Sequence, residues 1–547
     1  MRRLLLLLVL VLVACAQVPT SGPIVEVDQQ VTDTANNSFV RVIARPPQPG
    51  MTQSEIVQGF LDAASGFEDD HAVAKEYLTA EEAGRWNPST GTRVYGNDTE
   101  SLAQTTDTTV LLTASQVGLI SDRSQYVQSP PASLMEVPFE LQRVGADWRI
   151  SGAPQGLLLS RAAVERSFRE FDTYFVARPG GMLAPNPILF QSSQTDITMD
   201  LVKELVAGPS RWLAPAVINA FPAGTQVRSV TVTDGVAAVD FSSAILRADA
   251  VARQHLSAQL VWTLRQIAAI RAVTITADGQ LLEIPGAQNP LPRTAWADYD
   301  PDGLSGAINY YVARGGRLYS VDAGNSATQL AGAAGNADPP VTNPLISIDQ
   351  TAAAANDQEG TLLTTQLEND SRWRDGPLTS SRGGSWDRTG LIWLPVDGGV
   401  QVVNVLGARD VACPLAAITS VQVARDGSRA TVISDGRAYL LRVDRSTTIP
   451  ALVGPRLLSE VQVRAASWLN ANSVVLLTTA TDQPAQVATV DLGLYTMRYL
   501  GGPPRARSVA AAPDRAVLSG TADGQIWAFN GATWVPVLEG RQPRYPG

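Results

Sequence analysis

The sequence ARDGSRATVI occupies residues 424–433, and the related sequence APDRAVL occupies residues 512–518. In both, an aspartate turn leads into apolar and β-branched residues, which is typical of a turn followed by a β-strand. Five turns of this kind align along the C-terminal half of the chain, at Asp349, Asp387, Asp426, Asn470 and Asp514. They are separated by 38, 39, 44 and 44 residues. A period of about 41 residues with several strands per unit is typical of a β-propeller.

We therefore predict that residues 303–547 form an all-β propeller of about six blades, a count the period allows to range from about five to seven. Residues 534–537, with the sequence WVPV, are predicted to complete the first blade, because closing the ring removes exposed strand edges. The central channel is a candidate glycan site if carboxylates and aromatic rings cluster there. Asp387, Trp386 and Trp393 are the candidate residues for that site.

Upstream of the propeller, residues 171–286 alternate between strand-like and helix-like patterns. Four patches resemble, in the same order, the GerM-type (GerMN) domain of spore germination proteins: LVKELVAGP at 201–209, FPAGT at 221–225, VDF at 239–241 and WTL at 262–264. The resemblance implies an α+β GerMN domain. Asp240 is predicted to tie a loop or to cap a helix, and none of the four patches indicates catalysis.

Residues 51–165 are predicted to form a second α+β domain. Thr52 and Glu55 have the spacing of a capping box at a helix start, and apolar residues follow at helical spacing. After Gly91 the pattern changes to strands, with a strand-like stretch at residues 108–117 and a turn at Gly145 before Trp148. Helices followed by antiparallel strands are typical of α+β folds, and this order resembles the nuclear-transport-factor-2-like (NTF2-like) cone.

The first residues have the pattern of an export signal. Arg2 and Arg3 precede an unbroken apolar run at residues 4–13, which ends at Ala14 and Cys15. A basic end, a short apolar run and a small-residue cleavage site are typical of a signal peptide. The run is shorter than the roughly 20 residues that a membrane-spanning helix needs.

The position of Cys15 resembles the bacterial lipobox. That resemblance implies removal of residues 1–14 by cleavage between Ala14 and Cys15, followed by lipidation of Cys15 with an S-diacylglycerol group and an N-acyl group such as palmitate. The alternative is an ordinary signal peptide with a chance cysteine after it.

Two segments rich in helix-breaking residues separate these parts. Residues 15–50 are predicted to be a lipidated N-terminus and extended tether, and residues 287–302 a linker. The net charge is −10 and no basic tract is present, which disfavours binding to nucleic acid or to anionic lipid headgroups. Membrane attachment is therefore assigned to the lipid anchor.

The sequence offers few residues for chemistry. Its two histidines are His71, predicted to lie in a solvated acidic turn at a helix start, and His255, predicted to lie on a helix surface. Cys413 is predicted to be a structural core residue, with a reactive thiol as the alternative. Residues 298–303, DYDPDG, have the spacing of a calcium-binding loop, with an acidic linker as the competing interpretation.

No motif for a nucleophilic, zinc-dependent or phosphate-binding enzyme is present. We therefore predict a protein that is not an enzyme, with no catalytic residues, no metal site and no cofactor.

The order of lipidated cysteine, Pro-rich tether, α+β cone, GerMN domain and propeller resembles the actinobacterial LpqB lipoprotein family, as does the sequence PTSGP at residues 19–23. The resemblance implies a protein anchored by lipid on the extracytoplasmic face of the cell membrane. It also implies that this protein contacts the extracellular domain of an MtrB-like sensor histidine kinase, and that it modulates this two-component system in cell-wall homeostasis and division. Two alternatives stay open: an envelope glycan-binding protein or enzyme using the propeller channel, and a small-ligand sensor using a pocket of the α+β domains.

Overall fold

The computed structural model describes residues 44–547 except positions 98–99, 179, 195, 305–307, 380–382 and 481–482. The predicted signal peptide, its cleavage site, the lipidation site at Cys15 and most of the predicted tether lie outside the described residues. The helices within the described ranges are all too short or too polar to span a bilayer.

The N-terminal domain begins with a helix, α1 (Gln53–Ala64), that is capped as its sequence predicts. The Thr52 hydroxyl accepts from the Glu55 backbone N–H, and the Glu55 carboxylate accepts from the Thr52 backbone N–H. The apolar face of α1 is buried, including Ile56, Val57 and Phe60. Two short helices follow, α2 (Ala72–Glu76) and α3 (Ala80–Arg85).

A curled, mostly antiparallel sheet completes this α+β domain. Its strands are β1 (Thr92–Tyr95), β2 (Ser101–Thr106), β3 (Thr109–Ile120), β4 (Tyr126–Gln128), β5 (Leu134–Val144), β6 (Asp147–Gly152) and β7 (Leu157–Ser160). Their order is β6-β5-β3-β1-β7, with β2 and β4 also paired to the long strand β3. Every second residue of β5 from Met135 to Leu141 is buried, because successive side chains of a strand point to opposite faces.

The GerMN domain follows after a connecting helix, α4 (Arg161–Ser167). Its remaining elements are β8 (Phe168–Ala177), β9 (Leu183–Gln191), α5 (Ile197–Ala207), β10 (Val217–Ile218), β11 (Val227–Thr233), β12 (Val236–Phe241), α6 (Ala250–Leu264), β13 (Ala272–Ala277), β14 (Gln280–Leu281) and β15 (Leu291–Pro292). One sheet has the order β10-β8-β9, and the other has the order β11-β12-β13-β14 with β15 on β13. Asp240 ties a loop as expected: its carboxylate accepts from the Thr276 hydroxyl and the Gly279 backbone N–H.

The C-terminal part is a β-propeller, as the repeat predicts. Among the described residues it contains six four-stranded sheets. Their strands are β16 (Tyr310–Arg314), β17 (Arg317–Val321), β18 (Ala327–Gln329) and β39 (Arg541–Arg544); β19 (Thr342–Ile346), β20 (Ala352–Asn356), β21 (Thr361–Gln366) and β22 (Arg374–Thr379); β23 (Ser385–Trp386), β24 (Ile392–Val396), β25 (Gly399–Asn404) and β26 (Gly407–Val411); β27 (Ile418–Val423), β28 (Arg429–Ser434), β29 (Arg437–Asp444) and β30 (Ala451–Leu457); β31 (Gln462–Asn470), β32 (Ser473–Ala480), β33 (Gln483–Asp491) and β34 (Met497–Tyr499); β35 (Ala506–Ala510), β36 (Leu518–Thr521), β37 (Gln525–Phe529) and β38 (Trp534–Glu539).

The repeated turns have a local physical cause. Four of them lie between the first and second strands of a sheet, and the fifth, Asn470, is the last residue of the first strand β31. In four of them the side-chain oxygen accepts from the backbone N–H two residues further on, at Asp349, Asp387, Asp426 and Asn470. Asp and Asn favour such turns because their short side chains replace a backbone acceptor.

The ring closes, but not through the segment expected from the sequence. Residues 534–537 lie in β38, the outer strand of the last sheet, so this prediction is wrong. The closing strand is β39 (Arg541–Arg544), which pairs antiparallel with β16. Its sequence RQPR has no apolar alternation, because this innermost strand contributes the half-buried Arg544 to the narrow space at the centre of the ring.

Candidate functional site at the junction of the three domains

The core of the N-terminal domain continues into the propeller. Buried apolar residues of both parts, such as Phe60 and Leu476, belong to one cluster. The Tyr126 and Tyr495 rings lie 6.2 Å apart, centre to centre, and the Gln128 side-chain amide donates to the Leu457 carbonyl at 2.8 Å. These contacts join two domains that lie far apart in the sequence.

The GerMN domain is held to the same region of the propeller through Trp212. Its indole N–H donates to the Gly454 carbonyl at 2.7 Å, and its own carbonyl accepts from Arg442. The Arg456 guanidinium lies 4.5 Å from the Trp212 ring centre. Gly454 has φ +64°, and a Cβ atom there would come within 2.9 Å of the indole nitrogen, so this close approach requires glycine.

A cavity of about 640 Å³ lies where the three domains meet. Its wall includes four arginines, Arg123, Arg211, Arg429 and Arg456. The aromatic residues Tyr126, Trp212 and Tyr495 also line it. Ligand cavities typically occupy about 300–1,000 Å³ and often lie at domain interfaces, which makes this cavity the candidate ligand site.

The deepest arginine of this cavity is fixed by a buried ion pair. Arg429 Nη2 lies 2.5 Å from Asp426 Oδ2, and the two side chains are 3% and 0% exposed. The same nitrogen donates to the Ala471 carbonyl at 2.8 Å, and the guanidinium lies 5.4 Å from the Trp468 ring centre. Asp426 is one of the repeated turn residues, so the propeller's turn chemistry also positions this arginine.

Three carboxyl groups lie close together beside the cavity, where β8 of the GerMN domain meets the propeller. They belong to Glu170, Asp172 and Asp491. Burial, together with the nearby Asp491 and Asp172, raises the pKa of Glu170 well above its usual range. Burial raises the pKa of Asp172 to about 7, although the side-chain amide of Asn472 donates to its carboxylate. A Cβ atom on Gly493 would collide with the Glu170 carboxylate, so the domains approach closely here.

We expect the contact between β8 and the propeller to become less stable as the pH rises. The pKa of Asp172 is about 7 in the folded protein and 3.8 when exposed, so folding favours its protonated form. The resulting stabilisation is fully present below about pH 4 and is lost as the pH rises through about 7. Asp172→Asn should therefore reduce the fall in melting temperature between pH 5 and pH 8, as measured by scanning calorimetry.

The exposed Asp370→Asn variant is the control for this measurement and should retain the wild-type pH dependence. An Asp172→Asn variant with an unchanged pH dependence would contradict the assignment. Glu170 and Asp302, whose pKa values are also raised, should contribute to the dependence that remains.

Side chains fill the centre of the propeller in the part of the chain that the structure describes. Arg425, Arg544, Trp468 and Tyr545 line a residual space of only about 20 Å³. Burial lowers the pKa of both Arg425 and Arg544 to about 10. This packing disfavours the channel as a glycan site.

The candidate glycan residues are engaged in structural contacts instead. The buried carboxylate of Asp387 accepts from the Trp393 indole N–H at 2.9 Å and pairs with Arg445 at 2.6 Å. Trp393 is fully buried, whereas Trp386 is half-buried and packs against an apolar core. Two of these three side chains thus stabilise one blade.

The two histidines occupy different environments. His71 is buried, with its ring 5.1 Å from Phe67 and 5.8 Å from Trp86, so the prediction of a solvated turn is wrong. Burial lowers its pKa. His255 is half-buried on α6, beside the Tyr299 ring at 5.8 Å.

The other candidates also lie in structural positions. Cys413 is half-buried against an apolar core, and burial raises the pKa of its thiol. In the acidic segment, Asp300 accepts from the Asp302 backbone N–H, and burial raises the pKa of Asp302 to about 7. Across the described part of the chain, no group of three or more His, Cys, Asp or Glu is placed to hold a metal ion.

These observations define a class of protein: a multidomain chain that joins a small α+β domain with a curled sheet, a GerMN domain and a β-propeller through one shared junction. Family models match each part. Residues 46–165 match "Lipoprotein LpqB, N-terminal domain", residues 172–283 match "Sporulation and spore germination", and residues 316–546 match "Lipoprotein LpqB beta-propeller domain".

Similar full-length proteins carry the same family name. A Lipoprotein LpqB of Thermobifida fusca is 28% identical, over 99% of this chain and 97% of that protein. One of Rhodococcus jostii is 27% identical, over 89% of this chain and 86% of its own length. One of Streptomyces avermitilis is 25% identical, over 98% and 96%. The chain belongs to the Lipoprotein LpqB family, and these matches indicate no enzymatic family.

Solved structures show more distant likeness. TolB from Acinetobacter baumannii is 16% identical with a TM-score of 0.35, covering 52% of this chain and 84% of that chain. The tandem GerMN domains of GerM from Bacillus subtilis are 20% identical with a TM-score of 0.20, covering 28% and 59%.

Proposed function

We propose that this protein is a lipid-anchored lipoprotein on the extracytoplasmic face of the cell membrane, where it modulates an MtrB-like sensor histidine kinase in cell-wall homeostasis and division. Membership of the Lipoprotein LpqB family supports the lipid anchor. In this proposal the N-terminal domain is an NTF2-like cone, the propeller has six blades, and the protein regulates a partner without catalysing a reaction.

The single observation that carries the proposal is the shared junction. The N-terminal domain and the propeller contribute to one apolar core, and Trp212 fixes the GerMN domain to the propeller. A body joined in this way offers a large, preformed surface to a protein partner, and preformed surfaces bind with a small loss of conformational freedom. The engagement of Asp387 and His71 in structural contacts also favours a binding role.

A specific exposed feature offers a place to test the contact. Val405 and Leu406, at the tip of the hairpin between β25 and β26, are 99% and 79% exposed. Adjacent, almost fully exposed apolar side chains are typical of protein interaction sites when they form part of a patch. We therefore propose that the kinase contacts the face of the propeller that carries this hairpin.

The test is a titration of the chain from residue 27 onward against the extracellular domain of the sensor kinase, followed by calorimetry. We expect saturable binding, weakened at least tenfold by the double substitution Val405→Asp and Leu406→Asp. Leu281→Asp is the matched control, because Leu281 is also exposed but lies in the GerMN domain. Absence of binding between folded partners would contradict the proposed function, and unchanged binding by the double variant would contradict the assigned face.

A further inference from the structure

We propose that the cavity at the junction of the three domains binds a small organic anion, with its phosphate or carboxylate group held by the arginines and its body placed against the aromatic residues. This inference does not depend on the kinase proposal. It follows from the charge, the unpartnered donors and the size of the cavity.

The charge of the cavity wall favours an anion. Its wall holds four arginines and one carboxylate, that of the exposed Asp122. The carboxyl groups of Glu170, Asp172 and Asp491 lie beside the cavity and do not line it. Glu204 and Asp426 pair with Arg123 and Arg429. Within the described ranges, no carboxylate forms an ion pair with Arg211 or Arg456. The guanidinium group is suited to phosphate and carboxylate because its donors match two oxygens at once.

Two of these arginines have buried donors without a partner. The Nε atoms of Arg123 and Arg429 are both buried and form no hydrogen bond among the described residues. Arg429 as a whole is only 2% exposed. A buried donor left without an acceptor costs about 1–3 kcal/mol, and more when it is charged. An oxyanion bound within reach of these nitrogens would supply the missing acceptors.

The size and the aromatic lining indicate more than an inorganic ion. The volume of about 640 Å³ lies in the range that is typical of sites for organic ligands. Trp212 presents a ring that is already stacked with Arg456 at 4.5 Å, and the Arg456 Nη1 atom donates to the Tyr495 hydroxyl at 3.1 Å. Aromatic rings favour contact with apolar or planar ligand surfaces. We therefore expect the ligand to be a small organic molecule that contains a ring and carries a phosphate or carboxylate group.

Isothermal titration at low ionic strength can test this with glucose 1-phosphate and phenyl phosphate as the anionic probes. Methyl glucoside is the control that lacks a charge, and inorganic phosphate is the control that lacks an organic group. We expect saturable binding of at least one anionic probe, at least tenfold tighter than either control, and weaker in high salt because salt screens charges.

Arg211→Glu is the decisive variant, because Arg211 is exposed and its substitution should leave the folded core unchanged. It should weaken binding of the anionic probe at least tenfold. Arg317→Glu, at an exposed arginine that does not line the cavity, should leave binding unchanged. The proposal is overturned if neither anionic probe binds, if methyl glucoside or inorganic phosphate binds equally well, or if Arg211→Glu has no effect.

Discussion

Replacing Cys15 by serine is expected to move the protein from the membrane fraction to the soluble fraction. The lipobox-like position of Cys15 implies two or three acyl chains, and each buried CH₂ group contributes about 0.8 kcal/mol to membrane binding. Serine has no thiol to carry the thioether-linked diacylglycerol, so the anchor is lost. The measurement is fractionation of cells that express each variant, followed by immunoblotting of membranes and supernatant.

The second cysteine provides a matched control. Cys413 is half-buried beside an apolar core of the propeller, so Cys413→Ser should remain in the membrane fraction with the wild-type protein. A Cys15→Ser variant that stays bound to membranes would contradict the anchor. It would leave an ordinary signal peptide as the better interpretation of the N-terminus.

The largest effect on stability is expected at the buried ion pair of the junction. Arg429→Leu removes the ion-pair partner of Asp426, whose carboxylate is fully buried, and leaves that charge with only the hydrogen bonds from Ser428 beside it. Breaking a buried pair in this way typically costs about 3–5 kcal/mol. The variant also loses the hydrogen bond to the Ala471 carbonyl. Urea unfolding followed by circular dichroism should show the corresponding loss in the free energy of unfolding.

A double variant separates the loss of charge compensation from the loss of packing. Arg429→Leu combined with Asp426→Asn removes the buried charge but keeps an oxygen to accept from the Ser428 backbone N–H. It should therefore lose less than half of what Arg429→Leu alone loses. Arg437→Ala, at an exposed arginine on the same sheet, should change stability by less than about 0.5 kcal/mol. A double variant as unstable as the single one would show that packing, and not the charge, dominates.

The propeller could be predicted from the sequence, because the repeated turns that indicate it are formed by local contacts. In four of the five turns a short polar side chain accepts from a backbone N–H two residues further on, as at Asp387 and Asp426. Such a bond needs no distant partner, so its recurrence is visible in the chain. The capping box at Thr52 and the alternating burial of β5 were predictable for the same reason.

Predictions failed where a tertiary contact overrides the local pattern. Residues 534–537 have the composition of a strand, but composition does not determine which strand closes a ring. β39 takes that position although its sequence RQPR has little strand character. His71 follows acidic residues and was expected in solvent, whereas the rings of Phe67 and Trp86 bury it.

The junction could not be foreseen from the sequence at all. Asp172 and Asn472 are in contact although 300 residues separate them, and Trp212 reaches Gly454 across 242 residues. Periodicity reports only which face of an element is buried, and these contacts depend on how whole domains meet. The order of the N-terminal domain, the GerMN domain and the propeller was therefore predictable from the chain alone, and lipidation of Cys15 stays a prediction. That arginines from all three domains line one cavity is visible only in the tertiary structure, because long-range packing brings their side chains together.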